Sequence, residues 1–249
     1  MIAGPVVDTP SAQEFQREIL GLITPQELAA IAADLDRKSR AMRELLLPDP
    51  AELDQAALRQ VLRLVFTTRR RADQILTGIG PDRLGAAIAE LLHGGEEPAV
   101  RFDRFDAALA AVPASGFDLP SELLHFSYPD RYWLWTRWMW DPRTETGALP
   151  LVTTDDTVFS LSGLTEGSSR GAIYLTVGRA MAFVDETGKA AGFTAAGPGL
   201  FGTDVFLAAV YGIYMNTVLR MRMTREFNRL VPPLPDLIRR LLGVYHLEG

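Results

Sequence analysis

All four tryptophans of the chain fall within eight residues, in the stretch Leu123-Leu-His-Phe-Ser-Tyr-Pro-Asp-Arg-Tyr-Trp-Leu-Trp-Thr-Arg-Trp-Met-Trp140. A helix over Pro129–Trp140 would put Tyr132, Trp135 and Met139 on one face, Trp133, Arg137 and Trp140 on a second, and Leu134 and Trp138 on a third. Apolar bulk on every side describes a helix buried around most of its circumference. An arginine on such a helix needs a partner, either an internal carboxylate or a bound anion. His125, Trp133, Arg137, Trp140 and Tyr214 are therefore candidate walls of a ligand or partner pocket, with His125 as a possible general base. The same residues also fit the central helix of an ordinary core, with His125 satisfied inside it. A second chemistry-bearing group is the acidic run Thr153-Thr-Asp-Asp156, with Asp141 and Glu145 nearby. Paired carboxylates can hold a divalent ion or exchange protons, but no calcium-loop spacing is present and an Asp-Asp pair in a loop fits turn chemistry.

The third group is Ile75-Leu-Thr-Gly-Ile-Gly-Pro-Asp-Arg-Leu-Gly-Ala-Ala-Ile-Ala-Glu-Leu91. It resembles a helix-hairpin-helix motif, the non-specific DNA-binding module of many repair proteins. The resemblance covers roughly a tenth of the chain. It implies that Gly78 and Gly80 expose backbone amides to a phosphate, aided by the N-terminus of the following helix. It also implies that Ile79 plugs the space between the two helices. Arg69, Arg70 and Arg71, one short helix upstream, and Arg83 would add phosphate contacts. The chain departs from the family by placing Pro81 and Asp82 after the second glycine, where an acidic group repels phosphate. The same residues also describe a plain corner between helices, with Gly78 in a left-handed conformation and Pro81 at the first helical position.

The stretch Tyr211–Arg229 is apolar in its first half and carries Arg220, Arg222, Arg225 and Arg229 in its second. Arginines suit the C-terminal end of a helix, and the row also offers an anion- or partner-binding face. Of 25 Lys+Arg only Lys38 and Lys189 are lysines, which leaves 23 arginines. This follows from a GC-rich bacterial coding bias as readily as from bidentate anion contacts. With no cysteine, disulfides, zinc–thiolate sites, iron–sulfur clusters and cysteine nucleophiles are excluded. His93, His125 and His246 are scattered, so no metal site is expected. No Ser-His-Asp, phosphate-loop, dinucleotide or zinc-hydrolase pattern is present. No cofactor and no catalytic residue are assigned.

Helix start signals mark the first half of the chain. Ser11-Ala-Gln-Glu14 and Thr24-Pro-Gln-Glu27 read as capping boxes, the second opening a helix to about Leu47. Asp49-Pro-Ala-Glu52 repeats the signal ahead of Leu58, Val61, Leu62 and Val65. Residues 68–93 read as two helices about the glycine turn, closed by Gly94-Gly95. Phe102, Phe105 and Leu109 mark a further short helix, and Pro120–Phe126 another, broken from the tryptophan helix at Pro129. Short strands are possible at Leu151–Thr154 and Thr157–Leu161. Residues 170–187 fit a helix better than a hairpin. Gly192–Gly202 reads as a loop, Thr203 as the cap of a helix to about Leu230, and Asp236–Leu242 as the last helix.

The expected fold is mainly α, a multi-helical bundle with at most a small β element near 150–162. Residues 1–140 would form the bundle, 141–169 a Gly/Pro-containing excursion, and 170–249 helices packing on it as one compact unit. The net charge of −6 favours solubility and opposes coating of nucleic acid by the overall field. No signal peptide is read at the N-terminus, and the apolar run near 205–218 is shorter than the roughly 20 residues of a membrane span. A cytoplasmic protein is expected. The leading functional expectation is a non-enzymatic accessory or interaction protein, a subunit or adaptor of a bacterial cytoplasmic assembly, with a protein partner or a second copy of itself. The alternatives are DNA binding through the hairpin, and a ligand-binding protein or enzyme using the tryptophan pocket.

Overall fold

The computed structural model describes residues 7–112, 116–155, 157, 167–191, 199–222 and 232–245. Among these the protein is mainly α, with eleven α-helices and isolated bridges in place of strands. The helices are α1 (Thr9–Leu22), α2 (Pro25–Leu46), α3 (Gln55–Leu64), α4 (Ala72–Ile79), α5 (Pro81–His93), α6 (Pro98–Ala108), α7 (Asp118–Ser127), α8 (Leu149–Val152), α9 (Arg170–Ala191), α10 (Gly202–Arg222) and α11 (Leu234–Leu241). No helix of the described residues is long and apolar enough to cross a membrane.

The chain forms two compact units, both discontinuous in sequence. One draws on Met1–Asp36, Arg137–Gly163 and Ala180–Gly249, the other on Arg37–Thr136 and Leu164–Arg179. The breaks in sequence texture at 141 and 169 do not mark them. Two boundaries fall inside the continuous helices α2 and α9, where composition carries no punctuation.

In the first unit, α1 starts one turn earlier than its Ser-x-x-Glu signal. Asp8 is the N-cap, accepting from Ser11 N at 3.4 Å and from Ser11 Oγ at 2.6 Å. Asp8-Thr-Pro outcompetes Ser11 because a carboxylate cap followed by proline in the first turn satisfies the free amides sooner. The capping box of α2 forms as read: Thr24 N donates to Glu27 Oε2 at 2.8 Å and Glu27 N to Thr24 Oγ1 at 3.2 Å. These bonds hold the Glu27 carboxyl below the usual range. α1 packs against α8 and α10, and α10 against α11. The stretch Leu151–Thr154, which fitted a short strand or an irregular segment, has Leu151 and Val152 in helix α8 and Thr153 in an isolated bridge with Val7. Residues 158–161 of the second expected strand, 192–198 of the glycine loop and the end of the long helix beyond 222 lie outside the described residues.

The loop at 141–146 is closed by Asp141 N donating to Thr146 O at 2.8 Å and Glu145 N to Asp141 O at 2.8 Å. Glu145 sits at φ 56, a left-handed conformation that costs a glutamate roughly 1 kcal/mol. Asparagine tolerates this region better. Glu145→Asn is expected to raise stability by roughly 0.5 kcal/mol, read as a higher denaturation midpoint; an unchanged or lower midpoint contradicts it.

In the second unit α5 is the hub, packing against the 3-10 turn Pro50–Glu52 and against α3, α4, α6 and α7. Leu84, Ile88, Leu91 and Leu92 supply its buried face, and Gly85 lets it approach the Pro50 carbonyl, which a Cβ would meet at 2.7 Å. The Asp49 signal makes only that 3-10 turn; α3 is capped instead by Asp54, which accepts from Ala57 N at 2.8 Å. α9 is helical over the stretch that also fitted a hairpin.

Candidate functional site

The tryptophan block is not a helix. After Tyr128 the chain turns and runs without helical structure from residue 132 to 136. Pro129 stops α7, and the backbone groups find partners elsewhere. Trp135 N donates to Ser121 Oγ at 2.6 Å, while Ala148 N and Leu149 N donate to the Trp138 and Met139 carbonyls. A continuous apolar run fits an extended segment buried on both faces as well as a buried helix, and periodicity alone does not separate them. His125 and Trp133 belong to the second unit; Arg137, Trp140 and Tyr214 belong to the first. Trp140 is fully buried, whereas Arg137 and Tyr214 are exposed. The enclosed guanidinium that the pocket reading requires is not there: Arg137 acts as a surface charge that, after Arg143, helps hold the half-buried Asp141 carboxyl low against the opposing effect of burial. His125 is a satisfied core residue, its Nδ1 2.7 Å from the Tyr132 carbonyl.

Trp135 instead anchors the core of the second unit. It stacks on Phe117 at 4.0 Å between centroids and faces Phe102 at 6.3 Å, which in turn stacks on Tyr174 at 4.7 Å. Tyr174 Oη donates to the Trp133 carbonyl at 3.1 Å, and burial pushes its phenol far up.

Beside this stack α7 is buried along its whole length, including Asp118, Ser121, Glu122, His125 and Ser127. Lys38, fully buried, places Nζ 2.6 Å from Glu122 Oε2 and 4.2 Å from the centre of the Phe126 ring. Burial pushes the Glu122 carboxyl up, and the Lys38 ammonium opposes that. No spacing along the chain signals this pair, because a lysine on α2 and a glutamate 84 residues later meet only through packing.

The hairpin lies wholly in the second unit. α4 ends at Ile79, α5 begins at Pro81, and Gly80 alone joins them at φ 86. Gly80, not Gly78, carries the left-handed conformation; Gly78 is the seventh residue of α4 and would meet only Val112 side-chain atoms, at 3.5 Å or more. Ile79 is buried as the plug between the helices. Nothing lies within 4 Å of where a Cβ on Gly80 would stand, so the backbone there faces open space. Asp82 and Arg83 are exposed in the first turn of α5. Arg70 and Arg71 are exposed and Arg69 half-buried, its guanidinium 4.9 Å from the centre of the Phe66 ring. These three precede α4, so one helix length of about 12 Å separates them from Gly80.

Comparison with protein-family models, with curated proteins and with solved structures finds no match to this chain.

Proposed function

We propose that this protein binds the phosphate backbone of duplex DNA through the Gly80 hairpin, with Arg70, Arg71 and Arg83 as cationic contacts. The observation that carries this reading is the one-residue joint at Gly80: nothing stands within 4 Å of its Cβ position, at the N-terminus of a 13-residue helix, while the neighbouring Ile79 is buried. The Gly80 amide itself donates to Leu76 O at 2.9 Å, so it is the N-terminal turn of α5, whose dipole favours negative charge, that a phosphate oxygen would approach. Arginines a helix length away are placed for a further phosphate on the same strand, and none of these groups reads base edges, so the binding is independent of sequence.

Fluorescence anisotropy with a short duplex at two salt concentrations tests this. The affinity should fall with salt with a log–log slope near −3, as expected for about three phosphates. Gly80→Asp should lower it at least about tenfold, and Arg70→Ala with Arg71→Ala should reduce the slope by about 2. Asp82→Asn should tighten binding by removing a charge that repels phosphate. Absent or salt-independent binding at low ionic strength overturns the reading.

A second reading, the interaction protein, draws on the first unit, where Leu22 and Leu200 are 56% and 57% exposed. Apolar side chains of that size so far in water suit a protein contact. Light scattering across a concentration series tests self-association; an unchanging monomer mass excludes the second-copy form of it.

A further inference from the structure

The second unit holds a hydroxyl, a base and an orienting group in line, at a place the sequence did not single out. Tyr128 Oη lies 3.2 Å from His93 Nδ1, and His93 Nε2 lies 3.4 Å from the Leu46 carbonyl. A carbonyl only accepts, so Nε2 carries the imidazole proton and Nδ1 is left as the acceptor for the Tyr128 hydroxyl. This is the nucleophile–base–orienter relation, with the loose distances common before a substrate is bound. The three groups come from different elements: Tyr128 is the C-cap of α7, His93 ends α5, and Leu46 ends α2 with its carbonyl free of helical partners. The Tyr128 ring is braced edge-on by His93 at 6.4 Å and by Tyr132 at 6.2 Å. Tyr132 is itself fixed by Arg101, a buried arginine whose Nη2 donates to Tyr132 Oη at 2.8 Å and whose other nitrogens donate to the Leu91 and Glu96 carbonyls. Arg131, exposed, holds its guanidinium over the Tyr128 ring, 5.7 Å from its centre, and supplies positive charge on that face of the ring.

We infer that Tyr128 is a nucleophile, with His93 as its base and Arg131 as the contact for an anionic electrophile, and that the ligand class is a phosphoryl ester. In the step, the Tyr128 hydroxyl proton passes to His93 Nδ1 as the Oη–P bond forms and the ester P–O bond breaks. The leaving alkoxide then takes that proton from the imidazolium, so the products are a tyrosyl phosphoester and an alcohol. No oxidant, reductant or further reactant is required. The inference stands on this cluster alone and does not depend on the hairpin binding DNA.

The test uses para-fluorosulfonylbenzoate, whose tetrahedral sulfur(VI) centre reacts with an activated phenol by forming O–S and releasing fluoride. Labelling of the full chain is mapped by mass spectrometry, with Tyr214, 38% exposed and outside the cluster, as the internal reference. Tyr128 should react at least about a hundredfold faster than Tyr214, the low end of what a positioned base supplies. His93→Gln should remove that advantage and leave the Tyr214 rate unchanged, which a merely structural histidine would not do. Arg131→Ala should abolish the preference for this anionic probe over its neutral methyl amide. Equal rates at Tyr128 and Tyr214 in the wild-type chain overturn the inference without any variant, and so does an unchanged Tyr128 rate in a folded His93→Gln protein.

Discussion

Lys38→Met lowers the stability of the protein by about 3–5 kcal/mol at neutral pH, the range for breaking a buried ion pair by removing one partner. Lys38 is fully buried, Glu122 nearly so, and they meet at 2.6 Å. In the variant the Glu122 carboxylate keeps its desolvation cost and loses the ammonium that offsets it. Burial already raises this carboxyl above its ordinary 4.5, with Lys38 opposing the rise, so removing Lys38 raises it further. A raised carboxyl keeps its proton in the folded state over a range of pH where the unfolded chain has lost it. Stability therefore falls as pH climbs through that window and returns below about 4.5. The deficit of the variant relative to the wild type should be widest at neutral pH and shrink on acidification. Other carboxylates weaken both proteins in acid, so the difference between the two curves is the quantity to measure. Lys38→Met combined with Glu122→Leu should recover most of the loss, because two apolar side chains leave no buried charge. Denaturant midpoints at several pH values check all three statements. A deficit that is independent of pH, or a double variant as weak as the single one, contradicts the ion-pair account.

Gly147→Ala should cost about 3 kcal/mol or more, since it meets two obstacles at once. Gly147 has φ 152, a region that side chains avoid, and it lies where 146–149 passes back along 138–141. A Cβ there would overlap the Met139 carbonyl and stand 2.8 Å from Trp140 Cα. Both obstacles are backbone, so no rotamer change relieves them. Trp140 is fully buried, and any shift of its Cα is transmitted to the packing around it. Gly21→Ala is the control: it sits in α1 with nothing within 4 Å and should be neutral or slightly stabilising. Thermal unfolding of the two variants decides the matter, and a Gly147→Ala midpoint within about 1 °C of the wild type removes the steric argument.

Much of the helical framework is written locally, and that part was legible. The Thr24–Glu27 box, the Pro81 start of α5 and the 3.6-residue spacing of Leu84, Ile88 and Leu91 each depend on residues a turn or two apart, so the chain itself states them. The misreadings share one cause. The tryptophan segment carries no local instruction, because an apolar run is equally content in a helix or in an extended strip buried on two faces. Ser121 Oγ and the carbonyl partners at 138–149 decided between them. The joint at Gly80 was visible as a turn, but which glycine takes the left-handed conformation depended on how far α4 ran. The division into units escaped the sequence because its boundaries lie within α2 and α9, where helix propensity continues unbroken. Lys38 with Glu122, and His93 with Tyr128 and Leu46, were invisible for a simpler reason. Helix ends and buried charges acquire neighbours through packing over 35 to 84 residues of chain, and spacing along a sequence says nothing about distance in space.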